Sequence, residues 1–407
     1  MRKVLLLALG SFTLGLDAYV MAGLLPAIAD DTGTTVALAG QLVTVFTLAY
    51  ALSAPFFATL LSGRWPRAAL IVALAVFAAA NAATALAPTF ALLLVARVVA
   101  GAGAGLYSAL STAAATTLVP PERRGRALAL VMGGMSAGTV LGVPIGVLLA
   151  ERTGWRATLW LVTGLGVLAL AGLAALLPPL PEVPSGAAVR DRLAALADRE
   201  IAPVVAVSFL AAVASLGLYT YLAPVLESAG GVHGVTPYLW AWGVGGVLGS
   251  LAAGPLVDRG GRIPALIVVI LVAVATAQAL LPALAPHPLA VGAALVLWGA
   301  GGWAFQVPQQ HRLLALSPGR GPVVLALNGS ALYLGSAVGS ALGGLALSSG
   351  MRASALPWAA AGIVGAGLLL HVVTAVRAGR ATSRATGLPG ADPMASAPST
   401  LGIHEHS

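Results

Sequence analysis

Residues 4–26 read VLLLALGSFTLGLDAYVMAGLLP, an apolar run that contains one charged residue, Asp17. About 20 mostly apolar residues make a helix long enough to cross the hydrocarbon core of a membrane, which is roughly 30 Å thick. The run is longer than the apolar core of a secretory signal peptide and carries an acid. We therefore predict that it forms a first membrane-spanning helix that is retained in the protein.

Similar apolar stretches follow along the rest of the chain, separated by turns that contain Pro, Gly or charged residues. Numbered after span 1 at 4–26, spans 2 to 12 are predicted at 38–62, 68–87, 90–117, 127–149, 157–178, 201–225, 237–257, 263–285, 289–311, 322–347 and 353–376. The pattern predicts an all-α membrane protein with twelve transmembrane helices.

The composition excludes several other classes of protein. Hydrophobic residues make up 59% of the 407 residues and charged residues 8%, whereas soluble domains average about 45–50% apolar and about 25% charged residues. The chain has no cysteine, so disulfides, thiolate metal sites and cysteine nucleophiles are excluded. It contains no Walker A sequence, so we expect no activity driven by ATP and no bound cofactor.

The positions of the basic residues predict the orientation in the membrane. With the N-terminus in the cytoplasm, 17 of the 21 Lys and Arg residues fall in cytoplasmic segments. Three remain outside, Arg152, Arg156 and Arg352, and Arg97 lies within a span. This bias follows the positive-inside rule and predicts that both termini lie on the cytoplasmic side of a bacterial inner membrane. It also explains the net charge of +8 without a nucleic-acid partner.

The longest polar segment inside the chain separates six spans from six. We predict a first six-helix bundle at 1–178, a cytoplasmic linker at 179–200, a second bundle at 201–377 and a disordered tail at 378–407. Residues 58–64 align with the loop after span 8 at an offset of 196, as in a parallel repeat. Four-residue glycine spacing in spans 5 and 11 adds to the symmetry, at Gly134, Gly138, Gly142, Gly146, Gly335, Gly339 and Gly343.

Three motifs resemble those of one transporter family. Residues 254–262, GPLVDRGGR, are similar to the loop signature G-x-L-x-D-R-x-G-R of the major facilitator superfamily. Arg97-x3-Gly101-x3-Gly105 resembles the arginine motif of its fourth helix, and residues 138–146 resemble its antiporter signature. The chain is most similar to the twelve-helix drug:proton antiporters of the arabinose efflux permease-like and chloramphenicol efflux branch.

The resemblance implies a major facilitator fold of two pseudo-symmetric bundles, with conformational residues at the matching positions. These are Gly138, Gly142, Pro144, Gly146, Gly254, Asp258, Arg259, Gly261 and Arg262. The first-half loop departs from the family pattern, because Ser62 and Gly63 stand where the family has Asp-Arg. We predict that Asp258, Arg259 and Arg262 form a cytoplasmic latch between helices. If the family's acidic gate residue operates here, it must be Asp258. We expect the Pro144 kink to bend span 5 where the two halves meet, as a hinge and seal, although plain packing of small residues fits the same sequence.

Asp17 is the most informative residue within the predicted spans. It lies about 14 residues into span 1, near the middle of the membrane at about 1.5 Å per residue. A charged carboxylate there costs about 2.5–3.5 kcal/mol on insertion scales. We predict that Asp17 binds and releases a proton and that Arg97 takes part in this coupling. The alternatives are a structural polar contact for Asp17 and a snorkelling side chain for Arg97.

Polar and aromatic residues inside the spans are candidates to line a substrate cavity. They are Gln41, Tyr50, Asn81, Tyr107, Tyr219, Gln278, Gln306, Gln309, Gln310 and Asn328. Three of them surround Pro308 in span 10, a polar interruption of the kind found where backbone lines a cavity.

We predict a monomeric, proton-coupled exporter of small amphipathic compounds such as drugs, working by alternating access. An alternative is a sugar or metabolite transporter or facilitator in which Asp17 is only structural. A membrane enzyme or sensor would need a catalytic constellation or a soluble output domain, and neither is present in the sequence. The G-x-S-x-G match at 134–138 lies within a predicted membrane helix, so we treat it as chance.

Overall fold

The structure, a computed structural model, describes residues 1–61, 65–181, 194, 196–228, 234–259 and 263–385. Within these residues, twelve helical spans are long and apolar enough to cross a membrane, as predicted. The helices are Arg2–Thr32 (span 1), Val36–Ala39 and Gln41–Leu61 (span 2), Pro66–Leu86 (span 3), Phe90–Thr117 (span 4), Arg124–Ala137 and Val143–Thr153 (span 5), Trp155–Leu176 (span 6), Ile201–Thr220 (span 7), Thr236–Arg259 (span 8), Ile263–Leu284 (span 9), Pro288–Ala304 and Gln306–Leu316 (span 10), Gly321–Ser348 (span 11) and Leu356–Ala385 (span 12).

Short elements connect or interrupt these spans. A π-helical turn at Gly138–Gly142 joins the two parts of span 5, and a short helix, Leu222–Ser228, follows span 7. Span 12 continues to Ala385, so the first part of the predicted disordered tail is helical. The rest of the tail, and most of the predicted linker, lie outside the described residues.

The same helix pairings occur in both halves of the chain. Span 1 packs against spans 5 and 6, span 4 packs against spans 2 and 3, and span 3 packs against span 6. Each of these contacts recurs in the second half, six spans later. Span 7 packs against spans 11 and 12, span 10 packs against spans 8 and 9, and span 9 packs against span 12. This repetition is the geometry expected of two parallel six-helix repeats.

Glycines allow the closest of these pairings. A Cβ atom at Gly138 would lie 2.0 Å from the carbonyl oxygen of Phe12 in span 1. The equivalent approach in the second half is at Gly339, where a Cβ atom would lie 2.1 Å from the carbonyl oxygen of Val213 in span 7. The backbones of these helices touch because no side chain separates them.

The glycines of span 5 pack against span 1 of their own half. Gly142 and Gly146 both lie against span 1, where a Cβ atom would come within 3.1 Å of Leu16 and 2.9 Å of Val20. The contact with the second half is made by Val140, which lies opposite Gly243 of span 8. Four-residue spacing puts the glycines on one helix face, and that face packs within its own bundle.

The two halves also touch on the side of the membrane that the sequence predicts to be outside. The Ser340 hydroxyl donates a hydrogen bond of 3.0 Å to the Gly40 carbonyl, joining span 11 to the break in span 2. Thr236, at the start of span 8, donates one of 2.8 Å to the Glu151 carboxylate of span 5. These contacts close the predicted outer side of the interface between the halves.

Candidate functional site

Spans 1, 3 and 4 bring three polar side chains together inside the first half. Arg97 Nη1 lies 2.7 Å from Asp17 Oδ1 and 3.4 Å from Asn81 Oδ1. Asn81 Nδ2 donates to Asp17 Oδ2 at 3.4 Å. We call these residues the Asp17 cluster. Asp17 and Asn81 are fully buried and Arg97 is 1% exposed, so the ion pair is shielded from water.

Local packing explains why Arg97 reaches this position. Gly101, one turn further along span 4, faces span 2 so closely that a Cβ atom would lie 2.2 Å from the Phe46 carbonyl oxygen. The guanidinium group of Arg97 lies over the ring of Phe46, 4.1 Å from its centroid. A cation over an aromatic face is favourable, and more so when both are dehydrated. Arg97 therefore does not snorkel to the membrane surface, because its partners lie within the bundle.

The Asp17 cluster balances its charges internally. Within the described residues, Asp17 and Arg97 form one buried ion pair, and the Arg97 Nε atom has no hydrogen-bond partner. Removing one member of a buried pair leaves an uncompensated charge at a cost of about 3–5 kcal/mol. Protonation of Asp17 would likewise break the pair. The arrangement thus joins span 1 to spans 3 and 4 through one polar contact.

A second group of side chains lies where the two halves meet. The ring of Tyr19 in span 1 is 5.7 Å from Tyr219, 6.0 Å from Trp242 and 6.4 Å from Trp303, measured between centroids. These distances are typical of favourable aromatic pairs. Nearby, Tyr50 stacks on Tyr333 across the interface at 3.6 Å. Both halves therefore contribute aromatic rings to the middle of the molecule.

A small cavity lies next to these rings. Tyr19 and Thr47 line it from the first half, and Tyr219, Thr220 and Tyr333 from the second. The side chains that line it are apolar, aromatic or hydroxylated, and none of them carries a charge. A mostly apolar pocket with a few polar groups is the usual form of a small-molecule site.

The predicted cavity residues separate into several groups. Tyr50 and Tyr219 lie at the aromatic interface, whereas Asn81 belongs to the Asp17 cluster. Gln306 accepts a hydrogen bond of 3.2 Å from Asn328, which joins spans 10 and 11. Gln309 donates to the Val204 carbonyl at 3.1 Å and to Ser208 at 3.0 Å, which joins span 10 to span 7.

The remaining predicted cavity residues lie in other surroundings. Tyr107 is enclosed within the first half, where its hydroxyl donates to the Leu7 carbonyl at 3.0 Å next to Gly10. Gln278 is fully buried in span 9, which packs against spans 10 and 12 of its own half. Gln41 lies beside Gly344 on the predicted outer side, and Gln310 is partly exposed in span 10.

Sequence analysis did not single out Tyr19, Trp303 or Tyr333. Each lies in the interior of its span, where an aromatic residue does not serve as an anchor at the membrane surface. Their position inside the spans was therefore the signal that could have identified these residues as candidates for the site. The predicted latch after span 8 is described only in part: Asp258 is exposed and Gly254 faces open space. Gly261, Arg262 and the side chain of Arg259 lie outside the described residues, so the latch stays a prediction.

Comparisons with known proteins agree with this architecture. The family model of the Major Facilitator Superfamily matches residues 7–321. The inner membrane transport protein YdhP of Escherichia coli K12 is 31% identical over 380 residues, which cover 91% of this chain and 95% of that protein. A chloramphenicol resistance protein of Streptomyces lividans is 37% identical over 268 residues, which cover 62% of this chain and 66% of that protein.

The fold also matches solved structures. The crystal structure of a D-xylose-proton symporter superposes with a TM-score of 0.72, covering 91% of this chain and 96% of that one at 18% sequence identity. At that identity the match shows the common fold.

Proposed function

The chain belongs to the Major Facilitator Superfamily and transports small molecules across a membrane, and we propose that it is a proton-coupled exporter of small amphipathic compounds. It is a transporter and not an enzyme. The observation that carries the proposal is the Asp17 cluster. A buried acid paired with a buried cation is the kind of group whose charge can change as packed helices move.

The state of the structure fits one stage of such a cycle. The halves are in contact on the predicted outer side, which fits a stage in which that side is closed. Asp17 is paired with Arg97, which suits the stage after a proton has left for the cytoplasm and before substrate is carried outward. On the outer side, a new proton would neutralise Asp17 and release Arg97 from the pair.

Export of drug-like compounds is supported by the partial relative from Streptomyces lividans, whose name records chloramphenicol resistance. The uncharged lining of the central cavity suits compounds of this kind. The similarity to an inner membrane transport protein supports the same location here. The distribution of Lys and Arg supports an orientation with both termini in the cytoplasm, and the proposed working unit is a monomer. The transported partners are then the substrate and protons, and the surrounding partner is the lipid bilayer.

A second candidate is a sugar or metabolite transporter or facilitator in which Asp17 is structural. The completeness of the Asp17 cluster favours it, since both carboxylate oxygens already have partners. Such a protein would equilibrate its substrate without a gradient.

Uptake of radiolabelled chloramphenicol into inverted membrane vesicles with an acidic interior tests the proposal. We expect a protonophore to abolish uptake by wild-type vesicles. Vesicles with Asp17→Asn should take up no more than wild-type vesicles treated with the protonophore. Asp31→Asn is the matched control, because it makes the same change in the same helix at an exposed ion pair with Arg156. Export by Asp17→Asn that equals wild type and still responds to pH would overturn the coupling role. Wild-type flux without a gradient would select the second candidate.

A further inference from the structure

Three rings of the second half form a partial enclosure around one ring of the first half. Tyr219, Trp242 and Trp303 come from spans 7, 8 and 10, and we call them the three-ring cradle. Tyr219 and Trp242 are 4.4 Å apart, and Trp242 and Trp303 are 6.4 Å apart. The Tyr19 ring lies within 6.4 Å of each of the three.

The occupant and the cradle belong to different halves of the molecule. Tyr19 is carried by span 1, whereas every ring of the cradle is carried by the second half. Any rocking of one half against the other therefore changes the distance between Tyr19 and the cradle. When they separate, three aromatic faces lose the ring that now covers them.

We propose that the three-ring cradle is the substrate site, that Tyr19 occupies it in place of a substrate ring, and that the substrate is an uncharged aromatic compound. The inference rests on the proposed export function and names its substrate class. Tyr19 shows which chemistry the cradle accepts: a flat ring without charge, held edge-on or tilted against its neighbours. Such pairs add specific geometry to the burial of apolar area.

The electrostatics argue for an uncharged ligand. No charged side chain lines the cavity beside Tyr19. The buried charges of the first half, Asp17 and Arg97, are already paired with each other. A charged ligand that moved from water into this cavity would meet no counter-ion there. The free energy cost of that transfer is far larger than the cost for a neutral ring.

One polar group adds detail to the ligand. The indole N–H of Trp242 is buried and has no hydrogen-bond partner among the described residues. A buried donor of this kind is ordinarily satisfied by an acceptor. The ligand is therefore expected to carry an acceptor such as a hydroxyl, carbonyl or nitro oxygen on or near its ring.

The test empties the cradle and offers it a matched set of probes. In the purified full chain, Tyr19→Ala removes the occupant, and Tyr19→Phe keeps the ring as a control in the same detergent. The probes share a 4-methylphenyl ring and differ in charge: 4-methylphenol, 4-methylbenzoate and 4-methylbenzylammonium. Saturation-transfer NMR titrations report binding of each, since a cavity vacated in an apolar site takes up small aromatic molecules.

We expect saturable binding of 4-methylphenol to Tyr19→Ala, and weaker binding by about tenfold or more for both charged probes. Tyr19→Phe, whose ring still competes for the cradle, should bind 4-methylphenol at least about tenfold more weakly than Tyr19→Ala. Equal or tighter binding of the ammonium probe would overturn the inference in favour of a cation site, because aromatic faces also attract cations. Absence of binding to a folded Tyr19→Ala protein would overturn it outright.

A second measurement does not depend on the Tyr19→Ala protein being folded. Chloramphenicol, an uncharged aromatic compound, should bind the wild-type protein and lose about tenfold in affinity in Trp303→Ala. Trp160→Ala, at an exposed position of span 6, is the control. Equal affinity of Trp303→Ala and wild type would contradict the inference. These assays use no gradient, so failure of binding is distinguishable from failure of proton coupling in vesicles.

Discussion

Asp17 and Arg97 are 80 positions apart in the sequence and 2.7 Å apart in the structure, with both side chains removed from water. Each charge compensates the other inside the membrane helix bundle, because an unpaired charge at this depth has a high free energy cost. Asn81 joins them through its side-chain amide and also donates to the Phe77 carbonyl at 3.1 Å, which fixes its orientation. Three helices thus share one polar contact.

Double-mutant analysis measures how strongly this pair is coupled. We expect Asp17→Asn and Arg97→Gln each to lower the free energy of unfolding by about 3–5 kcal/mol, because each leaves a buried group without its partner. The double variant should lose clearly less than the sum of the two. Unfolding in detergent with increasing denaturant gives the three values, and strict additivity would contradict a direct interaction.

We expect Glu227 to make the closed outer side sensitive to pH. It lies in the short helix Leu222–Ser228, outside the spans, and partial burial together with the negative charge of Asp30 raises the pKa of its carboxyl group. A raised pKa means that the closed arrangement favours the protonated form. Closure is therefore strongest at low pH and weakens as the pH rises through the raised pKa.

Cysteine accessibility checks this direction, since the chain has no cysteine of its own. Labelling of Thr236→Cys, relative to the exposed Ser349→Cys on the same side, should increase as the external pH rises. Glu227→Gln should abolish the change, because the group can no longer ionise. A ratio that is independent of pH in the otherwise unmodified chain would contradict the prediction.

Span 5 shows how one helix face fixes the packing of a whole bundle. Its glycines let the backbone of span 1 approach, and the π-helical turn at Gly138–Gly142 lies at the same contact. We expect Gly138→Ala to lower the unfolding free energy by about 1–3 kcal/mol, because its methyl group would meet a backbone oxygen that cannot move alone.

Gly133→Ala is the control for that prediction. It lies in the same span, but a Cβ atom there has nothing within 4 Å. Thermal unfolding of the two variants in detergent should show a loss for Gly138→Ala and none for Gly133→Ala. Equal behaviour of the two would mean that the approach of spans 1 and 5 does not depend on the missing side chain.

The helices show which features the sequence determines and which it does not. Apolar length predicted all twelve spans, because crossing hydrocarbon demands it. Glycine spacing predicted one close-packed face on span 5 but not its partner, since spacing within a helix carries no information on which neighbour it meets. For the same reason Asp17 and Arg97 were singled out separately, while their contact and the three-ring cradle required the packing of distant spans.

For the molecule as a whole, transport requires the two halves to part on the side where they now touch. Val140 and Gly243 lie on opposite halves, and a Cβ atom at Gly243 would be 3.6 Å from Val140 Cβ. That separation suits a disulfide. Val140→Cys/Gly243→Cys should lose transport on oxidation and regain it on reduction, as measured in vesicles. Each single variant should be insensitive to oxidant, and full transport by the oxidised double variant would contradict the predicted movement.

The central claim is that Asp17 exchanges its proton when substrate binds. The most direct measurement is proton release from the purified protein, followed with a pH indicator in weakly buffered detergent, on addition of a compound shown to be transported. The account predicts release by wild type and Asp31→Asn, and none by Asp17→Asn that still binds the compound. Equal release by Asp17→Asn and wild type would contradict it.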